Sequence, residues 1–412
     1  MVDVIHSHKL YSEEGLFSQG IKAGEYTFLA QDARGSDGSL APPAGTESQA
    51  YQTLEHLRLA LKPAGLQLEN LVTLTIFLTD YRDAPSITKV LDDAFPDANK
   101  WYPATTMLGV AGLDGGCRVR VDAMATANPD REPIFAAHVP LPAGVRCHGV
   151  RVGELLFLSG IDSADAAGRP PQAATIESQT LIVLDRIEAV LRSKKRQLGD
   201  VFRTFMFMTS AEHRPGYRET RRKRYQGIFR EDEFPANSGI YIKDLGKDIL
   251  LKSVAIAYGG KDITLVSTPK VWLAPGSFSQ AFRVETWLFI SGQDAIREVK
   301  HPVAEVDVLS PEVRRSSAYE TEAVDDLAGQ TQVALTHIKD IVEEAGGTMD
   351  HVVKTTVYLV AGQDRATFSA AYQKFLRCHR KEQAMPSGLS LEVKELAPSC
   401  LVEIDAIALL PG

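Results

Sequence analysis

No run of about 18 apolar residues occurs in this sequence, so no membrane-spanning helix is expected. Cysteine is scarce. The four present, Cys117, Cys147, Cys378 and Cys400, show no C-x-x-C spacing, which argues against a zinc site and a disulfide framework. A basic excess is missing too: 45 Lys and Arg against 53 Asp and Glu give a net charge of −8, which disfavours a general nucleic-acid footprint. The opening MVDVIHSHKLYSEEG has no apolar segment of the kind a signal peptide carries, and the closing LLPG is no targeting signal. The expectation is a cytoplasmic protein with free thiols, without metal or cofactor, that binds neither nucleic acid nor membrane.

What is present is ordinary for a soluble globular protein: 44% hydrophobic and 24% charged residues. A chain of 412 residues is long for one domain and comfortable for three of about 130. Residues 321–411 organise it, reading helix, strand, helix, strand, strand. Val333, Leu335, Ile338, Ile341 and Val342 give one apolar stripe at helical spacing, and Gly346-Gly347 ends it. The β-branched run Val352–Leu359 predicts a strand, Phe368–Phe375 a helix, and Leu389–Val393 and Leu401–Leu409 two more strands.

This pattern occurs three times. Gln49, Gln179 and Gln330 anchor the first helix of each copy, with intervals of 130 and 151 residues. Pro103, Pro235 and Pro386 open the penultimate strand, and Ala123/Ala125, Ala255/Ala257 and Ala406/Ala408 close the last one. The copies span 1–128, 144–258 and 276–412, joined by linkers at 129–143 and 259–275, the first of them rich in proline. The third copy is lengthened by a charged insert near 297–325, expected to be a lid or a disordered loop. In the first copy His56 falls off the apolar stripe of its helix and reads as solvated. In the second, Arg218, Arg221, Arg222, Lys223 and Arg224 read first as a solvated face, with a local anion site or pairing to the acidic insert as alternatives.

Phe157-Leu158-Ser159-Gly160, the Gln-Thr-x-x-x-Leu of residues 330–335, Val353-Lys354-Thr355-Thr356-Val357-Tyr358-Leu359 and Val402-Glu403-Ile404-Asp405-Ala406-Ile407-Ala408 resemble motifs of the RidA/YjgF family, in the same order. The resemblance covers nearly the whole chain, and the third copy matches best. It implies an α+β fold of three tandem RidA/YjgF-like (chorismate mutase-like) domains. Family members are homotrimers with sheets around a three-fold axis, helices outside and ligand clefts between subunits. Three fused copies therefore imply an intramolecular pseudo-trimer with small-molecule clefts between repeats, as a monomer or a higher homo-oligomer. Fusion raises the effective concentration of the parts and lets the clefts diverge.

The family's deaminases hydrolyse imines and enamines derived from amino acids, gripping the substrate carboxylate with an arginine two residues after the proline. Those positions are Thr105, Asn237 and Gly388 here. The family's cleft tyrosine matches Phe17, Arg146 and Phe278, and its acidic residue matches Asp122 and Asp405, with Val254 in the second copy. The resemblance thus implies an enzyme of altered cleft chemistry acting on an imine or enamine. Asp405 with its neighbour Glu403, or Asp122, would be the acid/base. Arg120, or Arg146 with His148, would hold an anionic group. Two alternatives stand beside it: an enol-ether hydrolase like the related chorismatases, and a non-catalytic ligand-binding or scaffold protein. For Arg120, Asp122, Glu403 and Asp405 the competing role is an inter-repeat salt-bridge network around the axis. By strand alternation Cys147 and His148 face opposite sides, so they make a poor nucleophile pair. Cys117 and Cys400 fall on the core face, where free cysteine behaves as a small hydrophobe.

Overall fold

Each repeat builds one mixed sheet, and the structure, a computed structural model, describes residues 2–13, 15–40, 45–97, 100–172, 174–230, 233–272, 278–299, 320–323, 326–382 and 384–411. The first repeat runs β1 (Val2–Ile5), β2 (Gly20–Ala23), β3 (Tyr26–Asp32), α1 (Thr46–Leu61), β4 (Leu71–Leu78), α2 (Ala84–Ala94), β5 (Ala104–Gly109) and β6 (Val119–Thr126). The second runs β7 (Arg131–Ile134), β8 (Gly149–Val152), β9 (Leu155–Leu158), β10 (Ile161–Asp162), α3 (Ile176–Ser193), β11 (Val201–Met208), α4 (Arg214–Tyr225), β12 (Ala236–Tyr241) and β13 (Leu251–Tyr258). The third runs β14 (Ile263–Val266), β15 (Ala281–Val284), β16 (Trp287–Gln293), β17 (Ile296–Val299), β18 (Glu320–Ala323), α5 (Leu327–Glu344), β19 (Val352–Val360), α6 (Arg365–His379), β20 (Ser387–Val393) and β21 (Val402–Leu409).

The three sheets share one strand order: β1-β2-β3-β6-β4-β5, β7-β8-β9-β13-β11-β12 and β14-β15-β16-β21-β19-β20. In each, the strand after the first helix pairs parallel with the proline-opened strand and antiparallel with the last one. β7 and β14 lie inside the segments read from the sequence as linkers, and each adds an edge strand to the following repeat. α6 begins earlier than its apolar stripe because Asp364 caps it, accepting from the amides of Ala366 and Thr367. Of the insert, β17 and β18 form a two-stranded ribbon. Residues 300–319 and 324–325, on which the lid expectation falls, lie outside the described residues.

The repeated glutamines have one structural task. Gln49, Gln179 and Gln330 are buried on α1, α3 and α5. Their side-chain oxygens accept from the backbone amides of Arg118, Leu250 and Leu401, at 2.7, 2.9 and 2.7 Å. A helix is thereby pinned to the turn before the last strand, where a buried amide would otherwise be unsatisfied.

Helices cover the outer face of each sheet, and the inner faces meet around a pseudo-three-fold axis. Each repeat's proline-opened strand abuts the first hairpin of the next. The amide of Thr105 donates to Ser159 Oγ and that of Asn237 to Ser291 Oγ, at 3.1 and 2.8 Å. The ring closes from the third repeat to the first, where the Ser18 amide donates to the Pro386 carbonyl at 3.0 Å. At one end of the axis Gly109 bridges to Asp244, Gly112 to Glu392 and Tyr241 to Glu395. Leu108, Val110, Ile240, Ile242, Leu389, Leu391 and Val393 form a core shared by all three repeats there. Phe28, Phe157 and Phe289, one from each repeat, line an axial cavity of about 110 Å³. This is the pseudo-trimer expected from the resemblance.

Candidate functional site

The ring has three inter-repeat clefts, and their side chains have diverged. The third–first cleft is filled. Gly388 stands where the family pattern has arginine, and a Cβ there would lie 2.4 Å from the Thr355 carbonyl oxygen and 2.8 Å from Phe17. Facing it, Arg34 and Arg120 each reach Glu13 at 3.0 Å, and Arg34 also holds Asp32 at 2.6 Å. Burial works against the charges of Glu13 and Asp32, but the two guanidiniums outweigh it and hold both carboxyls below their ordinary range. Only about 20 Å³ of space is left. His56 borders this cleft. The expectation of a solvated His56 is corrected: it is 3% exposed, and its Nδ1 bonds to the Asp32 carbonyl at 2.7 Å.

The first–second cleft is occupied by Lys252, which is 2% exposed. Its ammonium lies 3.4 Å from Asp162 and donates to Tyr81 Oη at 3.1 Å. Gly160 leaves the room, since a Cβ there would lie 3.1 Å from Lys252 Cδ. Thr105 is fully buried against Ser159 and the Pro103 carbonyl.

The second–third cleft is open, with about 80 Å³ of space. The second repeat contributes Asn237 from β12 and Arg214, Tyr217, Arg218 and Arg221 from α4. The third contributes Phe278, Gly292, Asp294 and Glu403. The arginines recur at i, i+4 and i+7, which places them on one face of the helix. This corrects the reading of the basic run as a solvated face. Arg222 and Lys223 pair with Glu219, and Arg224 with Asp185 and Glu188. Arg218 and Arg221 turn inward, and Arg221 is only 4% exposed.

Gly292 admits the Glu403 side chain: a Cβ at 292 would sit 1.9 Å from Glu403 Oε1. Burial pushes the Glu403 carboxyl well above its ordinary range; Asp294 and Asp405 add to the effect, while Arg203 and Arg214 oppose it. Asp294 is raised as well, again chiefly by burial. Arg218 is pushed down to about 10 by burial, with Arg214 and Arg221 adding to it. Each of these shifts is toward the neutral form.

The remaining sequence candidates lie elsewhere. Asp405 shares a strand face with Glu403 but points to the axis. Arg203 donates to it at 2.7 Å, and Ser238 bonds to it. Asp122 is paired with Lys354 in the same manner. Strand register equates Arg203 and Lys354 with Thr73, and Asp405 and Asp122 with Val254. Two interfaces thus carry an ion pair, and the third carries a neutral pair. Arg146 is paired with Asp92 at 2.8 Å. His148 is buried, and its ring bonds to the Ala136 amide and the Val139 carbonyl. Burial lifts the Cys147 thiol to about 12, which removes it as a nucleophile. Phe17 packs against Tyr372. Sequence reasoning missed Arg214 and Asp294. The helical spacing of 214, 218 and 221 was the available signal for the arginine. Among the described residues no cluster of His, Cys, Asp and Glu suited to a metal ion occurs, and no helix is long and apolar enough to cross a membrane.

Comparison with known proteins finds a match to each of the three repeats. The family model described as endoribonuclease L-PSP matches residues 8–127, 137–258 and 270–410. A RutC family protein of Saccharolobus solfataricus is 28% identical over 127 residues, which is 31% of this chain and 97% of the relative. TdcF of Escherichia coli, described as a candidate reactive intermediate deaminase, is 25% identical over 125 residues, covering 30% of this chain and 97% of TdcF. The crystal structure of TdcF with bound serine matches with a TM-score of 0.28 and 25% identity, over 30% of this chain and 98% of TdcF.

Proposed function

This chain belongs to the endoribonuclease L-PSP family, the RidA/YjgF proteins, in three tandem copies, and from that premise we propose that it hydrolyses an imine- or enamine-type intermediate at one site, the second–third cleft. The observation that carries the proposal is the contrast between the clefts. Two are closed by buried charged groups of the chain itself. The third is open and concentrates two carboxyls and one guanidinium displaced toward their neutral forms, which is the signature expected of a working site. The description of TdcF supports the choice of reaction class.

In this reading α4 supplies the carboxylate grip that the family places two residues after the proline, where Asn237 now stands. Glu403, whose carboxyl burial holds toward its protonated form, gives its proton to the imine nitrogen. Water adds to the imine carbon, and the Glu403 carboxylate or Asp294 takes the water's proton. The carbinolamine then expels ammonia and leaves a 2-oxo acid, so imine plus water gives ketone plus ammonia. This assigns proton transfer to Glu403 and Asp294 and leaves Asp405 and Asp122 to their ion pairs. A positioned general acid contributes about 10²- to 10⁴-fold.

The test generates imines in the assay with an amino-acid oxidase and follows their decay by semicarbazide trapping. The intact chain should accelerate decay, and Glu403→Gln should slow it by about 10²-fold or more with the fold unchanged. Full activity in Glu403→Gln overturns the assignment, and no acceleration with any imine overturns the reaction class. A second reading, enol-ether hydrolysis, needs several cations for a dicarboxylate, and the three arginines of α4 favour it to that extent. Its product is a ketone released without ammonia.

A further inference from the structure

We infer that the cavity on the pseudo-three-fold axis is a second binding site, for one small uncharged molecule with a ring-sized apolar body and a single hydroxyl, as in a simple phenol. It shares no lining residue with the second–third cleft, so the inference goes beyond the proposed reaction and does not depend on it.

The walls of the cavity differ by repeat. The second supplies Phe157, Leu158, Phe205, Phe207, Val254 and Ile256, all apolar. The polar groups come from the other two: Thr73, Thr75 and Asp122 from the first, and Lys354, Thr356 and Tyr358 from the third. Lys354 is paired with Asp122, so their charges cancel locally and the space calls for neither a cation nor an anion. The threonine hydroxyls can fix one polar end. A homotrimer must present three identical walls at its axis. Strand register shows how far these have departed from that: Thr73 is equivalent to Arg203 and Lys354, and Thr75 to Phe205 and Thr356. Fusion thus gives the axis an apolar side and a polar side, which suits a ligand that is itself two-sided.

The space fits such a ligand. Thr73, Thr75, Phe205, Val254 and Ile407 sit at the centre of the ring yet are only half-buried, because the cavity faces them. Its volume is about 110 Å³. An apolar cavity of about 150 Å³ holds benzene, and Met124, unbranched and adaptable, lines this one and can yield part of the difference. Aromatic rings border both ends. Phe28, Phe157 and Phe289 stand at one, with Trp287 edge-on to Phe28 at 5.7 Å and Phe202 edge-on to Phe289 at 5.0 Å. Phe77, Phe207 and Tyr358 stand at the other. Such rings accept a further ring edge to face. Water suits the space less well, since each molecule needs roughly two to four polar partners, and the wall of the second repeat supplies no polar side chain.

The test is calorimetric titration of the intact chain with phenol and with toluene, which share a shape and differ in one hydroxyl. The expected result is one phenol per chain, bound at least as tightly as toluene. A purely apolar cavity would favour toluene, since the phenol hydroxyl would lose its bonds to water. Val254→Phe, which fills the cavity from the side of the second repeat, should abolish binding of both. The combined substitution Thr73→Val, Thr75→Val and Thr356→Val should weaken phenol by about tenfold and leave toluene as tight or tighter. A crystal of the intact chain soaked in phenol reads the site directly and requires no variant to fold: the ring should lie among Phe28, Phe157 and Phe289. No binding of either probe, toluene bound tighter than phenol, phenol affinity unchanged by the threonine substitutions, or phenol density confined to the second–third cleft overturns the inference.

Discussion

Arg203 and Asp405 join the second repeat to the third at a point where water is excluded, with 2% and 5% of their surfaces exposed. The contact is 2.7 Å, and the same guanidinium donates to Ser238 and to its neighbour's carbonyl, at Thr204, while stacking 4.1 Å from the Phe205 ring centre. Removing one partner of a buried pair costs about 3–5 kcal/mol, because the other charge is left uncompensated. The two single substitutions should not cost the same. In Arg203→Met the orphaned carboxyl, already raised by burial, takes a proton and escapes part of the penalty. In Asp405→Leu the orphaned guanidinium cannot lose its proton at any accessible pH. Arg203→Met should therefore fall near the lower bound and Asp405→Leu near the upper. The double variant should recover much of the loss, since a neutral, well-packed pair of similar volume is often no worse than the ions. At the first–second interface the equivalent residues, Thr73 and Val254, are uncharged and line the axial cavity. Urea unfolding followed by fluorescence and circular dichroism gives the four free energies, provided the two transitions coincide. A coupling of about 2 kcal/mol or more is expected. Strictly additive losses, or equal losses in the two single variants, would refute the reasoning.

Two further outcomes follow from the clefts. Gly292→Ala places a Cβ 1.9 Å from Glu403 Oε1 and 3.0 Å from Ser238 Oγ, so the carboxyl must move; kcat on an imine substrate should fall by about 10²-fold, as misplacement of a reacting group by about 1 Å does. The pH dependence should carry two opposite limbs. Glu403 and Asp294 are raised in the fold, so the stability tied to their neutral forms is full below the ordinary carboxylate pKa and is lost as pH rises through their shifted values. Glu13 and Asp32 are depressed, so their share is present above the ordinary carboxylate pKa and is lost as pH falls through their shifted values. Urea midpoints against pH should show Glu403→Gln flattening the first limb and Glu13→Gln the second. The hydrolysis rate should likewise fall as pH rises through the Glu403 value.

The fold was legible because its signals are local. Strand alternation, the helical stripes and the recurring glutamine, proline and Ala-x-Ala are short-range patterns, and β19 and β21 each match the expected span to within one residue. The site was less legible because its decisive facts are relations between repeats. Glu403 and Asp405 lie two residues apart on one strand face. Only the third dimension separates the residue in the cleft from the one locked to Arg203. The arginine missing from β5, β12 and β20 was visible by alignment of the copies. Its replacement comes from a different element, α4, whose basic run looks uniformly solvated until packing divides it into inward and outward sides. His56 misled for a related reason: its helix face is polar, yet it is covered by the backbone of β3.

The hydrogen bonds from Ser18 to the Met385 and Pro386 carbonyls close the ring of repeats. They make the first and last repeats neighbours in space, equivalent to the two junctions that the covalent chain happens to cross. Where the peptide starts is thus a matter of gene arrangement and not of architecture. A circular permutant that joined the present ends and opened either connecting segment outside β7 or β14 would keep every contact around the axis. Opening the segment before β7 would also shift the folding order, letting the two repeats that share the open cleft emerge from the ribosome first.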